Sequence, residues 1–432
     1  MKYRIVCLCA LLSTLLAAVA CSSQRAPTEA AVPAASLVIR NGTLIDGTGA
    51  DPIADGIVII EGERIVAVGR EADIAIPSDA QFIDAQGGTI LPGLIDSHVH
   101  TTWSPQVRRE FLQVGVTSVC DMGSPIERMD EFEQDTWKGQ PVARGFRAGP
   151  IFTAPGGLPD AVLHQDLNYE VGTPEEARQG VADVVSRGAD AIKVYLQPTA
   201  NNKPYPMLDE AVLKAIVEAA HSHGVLVRAH VTKLSLVPMA LEAGVDVLEH
   251  VPERPLSEES FVRVLEASDD PAADLLDWYI VADYDTLLPR IATQEVPMVP
   301  TMARLVEERY ASRETIPWQR VMTEGLLEIV RRFHSAGGVI ALGTDWNSHL
   351  EPSLTIQEAQ LLHVVGLTPV QVIEAATKNA AWVCGHGQDL GTIEAGKLAD
   401  VIIVDGNLDT DLEALNRVVI VVKGGQVAYR AR

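Results

Sequence analysis

From Leu37 to about Thr89 the chain sets short β-branched runs between turn residues. Leu37-Val38-Ile39 is followed by Asn41-Gly42, and Gly56 to Ile60 by Glu61-Gly62, before a further run from Ile65 to Val68. Runs broken in this way predict strands and hairpin turns. The same texture returns over residues 400–404, 418–422 and 426–429, so the two ends together predict one small β-domain. The middle is different. There, apolar runs alternate with helical stretches, the pattern of parallel strands joined by crossover helices. Eight strands are predicted, at 89–96, 116–122, 146–153, 191–196, 225–230, 245–249, 296–302 and 339–344. Gly115, Gly188, Gly224, Gly244 and Gly338 stand before several of them, where a helix C-terminus often turns left-handed. Eight such units in roughly 300 residues predict an α/β fold, a (β/α)8 TIM-like barrel, with insertions around 251–290 and 303–335.

At the start of the chain, Lys2 and Arg4 precede a mainly apolar run to Ala20. This reads as a signal peptide over residues 1–20, too short for a membrane span of about 20 apolar residues. Ala18-Val19-Ala20-Cys21 resembles a bacterial lipobox, whose cysteine becomes the lipidated first residue. Ala18 stands where leucine is commoner, and a plain cleaved signal is the alternative. Residues 21–36 are then the lipobox cysteine and a flexible tether. The expectation is an exported protein, a periplasmic or outer-membrane lipoprotein of a bacterium, touching the membrane only through Cys21. Of the five cysteines, Cys120 and Cys384 alone outlast these losses, and their wide separation predicts no disulfide framework.

Composition narrows the partners. The 432 residues include 34 Lys+Arg against 58 Asp+Glu, a net charge of −24, with 47% hydrophobic residues. That balance argues against a nucleic-acid partner, which requires clustered cations. It does not name a substrate.

Barrels of this class carry their chemistry at the C-terminal strand ends. The first predicted strand leads into Asp96-Ser97-His98-Val99-His100, and alternation points His98 and His100 the same way. Two imidazoles so placed can share a metal ion. Lys193 lies in the fourth strand, His230 ends the fifth, Glu249-His250 the sixth, and Gly343-Thr344-Asp345 the eighth. One histidine alone is commonly structural; five strand ends with metal-competent residues are a stronger signal.

At these residues the chain resembles the amidohydrolase superfamily of metal-dependent hydrolases. The resemblance rests on residues 91–100 (LPGLIDSHVH), 376–381 (ATKNAA) and 391–400 (GTIEAGKLAD), and spans residues 37–432. It implies a β-sandwich from residues 37–90 and 390–432, and a hydrolase barrel over 91–389. It further implies two divalent metal ions, zinc by expectation: one on His98, His100 and Asp345, the other on His230 and His250. Lys193, carboxylated by carbon dioxide, would bridge both. A metal-bridging hydroxide would attack the substrate carbonyl, with Asp345 as general base and then acid. Lys193, Glu249-His250 and residues 149–157 (GPIFTAPGG) resemble the prolidase-like branch, which cuts dipeptides and N-acyl amino acids. Relatives there often carry histidine after the paired glycine; Leu158 follows Gly157 here, so Gly157 itself and His164, the nearest substitute, are the expected substrate contacts of this loop.

Other side chains are weaker candidates. Tyr195 shares the parity of Lys193 and either donates a hydrogen bond to the substrate carbonyl or lines the wall. Asp96 either orients a ligand imidazole or sits in a core salt bridge. Arg228 and Arg147 are candidates for carboxylate recognition, with structural roles the stronger reading. His221 and His223 close a helix, and His334, His349, His363 and His386 lack partners at metal spacing. Trp346 offers an aromatic at the site or packs beneath it. The expected function is metal-dependent hydrolysis of an amide bond in a small molecule. A cyclic-amide hydrolase or deaminase on the same scaffold is the alternative, and a lipid-anchored binding protein with structural metals is the alternative of another class.

Overall fold

Alternate residues of the first strands serve two apolar clusters, Ile39, Val58 and Ile60 in one and Val38, Ile57 and Ile59 in the other. In a computed structural model describing residues 36–133, 141–253, 282–311 and 317–431, the chain opens with β1 (Leu37–Leu44), β2 (Ile53–Glu61) and β3 (Arg64–Arg70). These pair antiparallel in succession, while β4 (Gln81–Asp84) and β5 (Thr89–Pro92) lie parallel to β1. Ile39, Val58, Ile60, Ile65, Ile83 and Ile90 point into a core that belongs to this sheet. The predicted signal peptide, Cys21 and the tether up to residue 35 lie outside the described residues.

The expected first strand over 89–96 is two strands in two sheets. Pro92 ends β5, and at Gly93 the backbone N–H donates to the Asp400 carbonyl at 2.9 Å. A Cβ at Gly93 would meet Thr117 Oγ1 at 2.1 Å, so only glycine lets the chain cross here. Then β6 (Leu94–Val99) runs parallel to β7 (Val116–Asp121), and β7 to β8 (Arg144–Arg147).

The expected third strand also divides, at left-handed Gly149, into β8 and β9 (Ile151–Thr153). Beside β9 lie β10 (Asn168–Glu170) and β11 (Ala191–Tyr195); the two-residue strands β12 (Thr199–Ala200) and β13 (Lys203–Pro204) form a separate hairpin. Next come β14 (Leu226–His230), β15 (Val247–Glu249) and β16 (Met298–Val299), and the six-stranded parallel order is β10-β9-β11-β14-β15-β16. The expected eighth strand is not a regular strand. Ile340 bridges Met298 and Trp346 bridges Val99, both in parallel sense, which lashes this segment to β16 on one side and β6 on the other. The crossover helices read as the sequence suggests. Pro174–Ser186 starts with a capping box at Thr173 and buries Ala177, Val181 and Val184; Glu210–Ser222 is capped by Asp209 and buries Leu213, Ile216 and Ala220.

The chain closes with β17 (Val401–Val404), β18 (Val418–Lys423) and β19 (Gln426–Arg430). β17 lies antiparallel to β5, with Ile403 opposite Ile90, so both ends of the chain share one eight-stranded sheet. Arg144 on β8 donates two hydrogen bonds to the Asp400 carboxylate, at 3.0 and 2.8 Å, tying the parallel strands to that sheet. One expectation is overturned outright. Cys120 on β7 and Cys384 form a disulfide with Cα atoms 6.2 Å apart, because folding erases a sequence separation of 264 residues. Among the described residues, no helix is long and apolar enough to cross a membrane.

Candidate metal centre and active-site cavity

His98 sits near the end of β6 and His100 just beyond it, where pairing with β7 is irregular between Asp96 and Val99. The segment bridged to Val99 brings Asp345 over both. Its Oδ1 lies 3.0 Å from His100 Nε2 and 3.6 Å from His98 Nε2. The three residues offer ligand atoms within 4.8 Å of one another. Charge favours the carboxylate form: burial opposes it, but the His100 hydrogen bond and the neighbouring imidazoles hold Asp345 well below the usual range.

His230 and His250 complete the ring of histidines. Their ring centroids are 4.5 Å apart, and His250 is 4.9 Å from His98. Thr301 Oγ1 holds Nδ1 of His250 at 2.8 Å, and Gln197 Oε1 faces Nε2 of His230 at 2.8 Å. Burial keeps these imidazoles neutral, with His250 pulled down to about 4 and His98 and His230 well below their ordinary value. Neutral imidazole is the form that binds a metal.

Lys193 is buried on β11. Burial, with Arg228's charge adding to it and Glu249's opposing it, brings the ammonium down to about 8. Among the described residues, its Nζ and the Nε2 of His98 are buried without a hydrogen-bond partner. Buried polar atoms normally find one, so these two atoms fit a site that takes up a group from outside the chain, such as a cation.

The backbone is strained where these residues meet. Thr101, His250, Thr301 and Asp345 all have positive φ, from 51° to 70°. Two are β-branched, for which that region is a genuine outlier, and such strain gathers at functional sites.

A cavity of about 650 Å³ opens over the cluster, lined by His98, His100, Lys193, His230, His250 and Asp345 together with Tyr195, Arg304, Trp103, Pro159 and Leu163. Tyr195 stacks on His230 with centroids 3.8 Å apart. Burial and the charge of Asp345 push its phenol up, so it remains a hydrogen-bond donor. Arg304 Nη1 donates to Asp345 Oδ2 at 2.6 Å and to the Asp345 carbonyl at 3.0 Å.

Several expected contacts lie elsewhere. Arg228 has no exposure; it donates from Nε to Glu249 at 2.6 Å and from Nη2 to the Ser97 carbonyl at 2.8 Å, so it is consumed inside the fold and does not reach the cavity. Arg147 is likewise buried, bonding the Arg187 carbonyl. His164 is an exposed left-handed residue beside the cavity, whose wall there is Leu163 and Gln165. Gly157 is a buried turn position, its carbonyl accepting from Asn168, and does not line the cavity. Asp96 orients no imidazole; it accepts from the hydroxyls of Thr344 and Thr355 at 2.8 and 2.9 Å. Trp346 packs edge-on against Phe111, and Trp103 is the tryptophan on the cavity wall.

The imidazole-orienting acid is Glu249, which the sequence offered only as a strand end. Its Oε2 accepts from Nδ1 of His98 at 2.5 Å. Arg304, Gln197 and Thr301 were also missed. Gln197 lies two residues past β11, and Thr301 and Arg304 lie two and five past β16, where neither period nor motif marks them. His349, set aside for want of a partner, lines the cavity mouth.

The chain is also similar to known proteins. A model described as the amidohydrolase family matches residues 89–428. Ochratoxinase of Aspergillus niger is 25% identical, covering 90% of this chain and 86% of its own. Imidazolonepropionase of Geobacillus sp. (strain WCH70) is 22% identical, covering 88% and 91%. Among solved structures, a Xaa-Pro dipeptidase with bound methionine in its active site superposes with a TM-score of 0.69 at 22% identity, over 92% of this chain and all of that one (100%).

Proposed function

The chain belongs to the amidohydrolase family and is a hydrolase of carbon–nitrogen bonds, and from that premise we propose that it cuts the amide of a dipeptide or N-acyl amino acid. The observation that carries the reading is the convergence of four histidines, Asp345 and a buried, partnerless Lys193 amine on one cavity. In this reading the two parallel sheets and the segment from Ile340 to Trp346 make one distorted (β/α)8 barrel, and the shared sheet of the chain ends is its β-sandwich domain.

His98, His100 and Asp345 would hold one divalent cation and His230 and His250 the other, with Lys193 bridging them as a carbamate. When bound, two such cations, zinc by expectation, supply a polarised carbonyl and a water acidic enough to attack near neutral pH. The protein's own groups do the rest. Glu249 fixes the ring of His98 so that Nε2 faces the centre. Asp345 takes the water's proton as the new C–O bond forms and gives it to the leaving nitrogen as the C–N bond breaks. Tyr195 donates to the oxygen on which charge develops. The apolar wall of Trp103, Pro159 and Leu163 accommodates the substrate's uncharged part.

Export belongs to the same proposal. The leader, the lipobox-like Cys21 and a disulfide between Cys120 and Cys384 all suit a lipoprotein of an oxidising compartment. The test is hydrolysis of a dipeptide and N-acyl amino acid library by protein loaded with zinc, manganese or cobalt in bicarbonate. Cleavage by protein carrying about two metals per chain supports the reading; a fully loaded protein that cuts none of them rejects it. Lys193→Ala, assayed also on cyclic amides and aminated bases, separates the bridged hydrolase from a single-metal deaminase.

A further inference from the structure

The chain carries a net charge of −24, yet among its described residues the cavity wall outside the proposed metal-holding set carries two cations, Arg128 and Arg304, and no carboxylate. A cavity so unlike the rest of the molecule selects for an anion. Of the two arginines, Arg128 is half-exposed, engaged with Glu131, and lies over the Trp103 ring at 5.7 Å. Arg304 is the deeper, with 27% of its side chain exposed, and it is hydrogen-bonded directly to Asp345. The two carboxylate oxygens of Asp345 are divided: Oδ1 faces His98 and His100, and Oδ2 faces Arg304.

We infer that Arg304 recognises a carboxylate next to the scissile amide, and that it does so by exchanging Asp345 Oδ2 for the substrate's carboxylate oxygens. A guanidinium already paired with one carboxylate is matched in geometry and charge to another. The exchange leaves Oδ2 open to proton transfer when, and only when, a substrate with the right group is bound. Recognition and catalysis are thereby coupled through one side chain. This rests on the amide-hydrolase reading above and deepens it by assigning to Arg304 the recognition of the carboxylate that dipeptides and N-acyl amino acids share.

The experiment compares an N-acyl amino acid with its C-terminal carboxamide, on metal-loaded wild type and on Arg304→Gln and Arg304→Lys. Wild type should favour the acid, and Arg304→Gln should reduce the acid-to-amide ratio of kcat/KM roughly 10- to 100-fold, the size of a hydrogen bond to a charged group. Arg304→Lys should fall between. Inhibition by the free amino acid product, measured beside its amide, should weaken in the same proportion. A wild type that cuts both compounds alike overturns the assignment of Arg304 and leaves the amide-hydrolase reading standing. So does a ratio that survives Arg304→Gln, including an equal loss on both compounds, which would make Arg304 only a positioning residue for Asp345. A loaded wild type that cuts neither compound removes the substrate reading, and this inference with it.

Discussion

Glu249 accepts the Nδ1 proton of His98 across 2.5 Å while both side chains are cut off from water. The direction is fixed by charge: burial opposes ionisation, but Arg228, His98 and Lys193 hold the Glu249 carboxyl well below its ordinary range. The other imidazole nitrogen is thus the one presented to the centre. Replacing Glu249 by Gln should weaken metal binding roughly 10- to 100-fold, as losses of such orienting partners do. It should also cost about 3–5 kcal/mol of stability, since Arg228 is left as an unpaired buried cation. Metal affinity by competition with a chelator and unfolding of the stripped protein measure the two effects. Unchanged affinity would show that His98 needs no partner.

Lys193 predicts a pH dependence of assembly. Its ammonium loses a proton near pH 8, and only the neutral amine combines with carbon dioxide. Metal uptake by stripped protein in bicarbonate should therefore rise with pH through about 8 and fail in Lys193→Ala. An inflection near 10.4, the value of a free lysine, would contradict the burial argument.

Glu358 predicts the opposite slope for stability. Its carboxylate oxygens accept from the backbone of Met302 and Ala303, at 3.0 and 2.5 Å. Burial outweighs those bonds and, helped by the charge of Asp96, raises its pKa to about 8. The folded protein keeps a proton that the unfolded chain releases above about 4.3. Stability from this group is full below that pH and lost as pH rises through about 8, at up to about 1.4 kcal/mol per pH unit. Glu358→Gln should flatten that part of the curve in denaturant titrations of metal-stripped protein. An unchanged slope would mean that Glu358 is ionised in the fold.

Tyr195 should act as a donor. Its phenol is held protonated, so Tyr195→Phe should lower kcat by roughly 10²-fold, the scale for one donor to a developing oxyanion. Metal content should not change. An unaltered kcat would reduce Tyr195 to a wall of the cavity.

The disulfide is open to a direct test. A double Cys120→Ser, Cys384→Ser variant should lose about 2–5 kcal/mol of stability. Reducing agent should lower the thermal midpoint of the parent protein and leave that of the variant where it is. Equal sensitivity of the two would show that the sulfurs are unpaired in solution.

Most of the residues that converge on the cavity were legible because they stand at or beside strand ends, and parallel strands bring their ends to one side. His98, His100, His230 and His250 obey that logic, whereas Lys193 lies inside β11 and Asp345 on a segment held only by isolated bridges. Glu249 did not declare its role, because its partners come from β6 and β14, and contact between strands leaves no trace in local period. Arg228 shares the parity of His230 and still turns away, because Glu249 and the Ser97 carbonyl absorb its donors. Strand ends blurred wherever a special backbone residue intervened, at Gly93 and Gly149. Cys120 and Cys384 looked too distant to meet, which weighed sequence distance where spatial distance decides.

The sheet shared by the two ends of the chain bears on how the protein comes into being. β5 has no antiparallel neighbour until β17 exists, and β17 is among the last strands to be made. The earliest residues must wait, with an apolar edge unfilled, for nearly the whole polypeptide to arrive. Such long-range pairing folds slowly. A chain cut short before β17 would leave β5 with an open edge, so losing the C-terminal segment should unmake the sheet built from the N-terminal one.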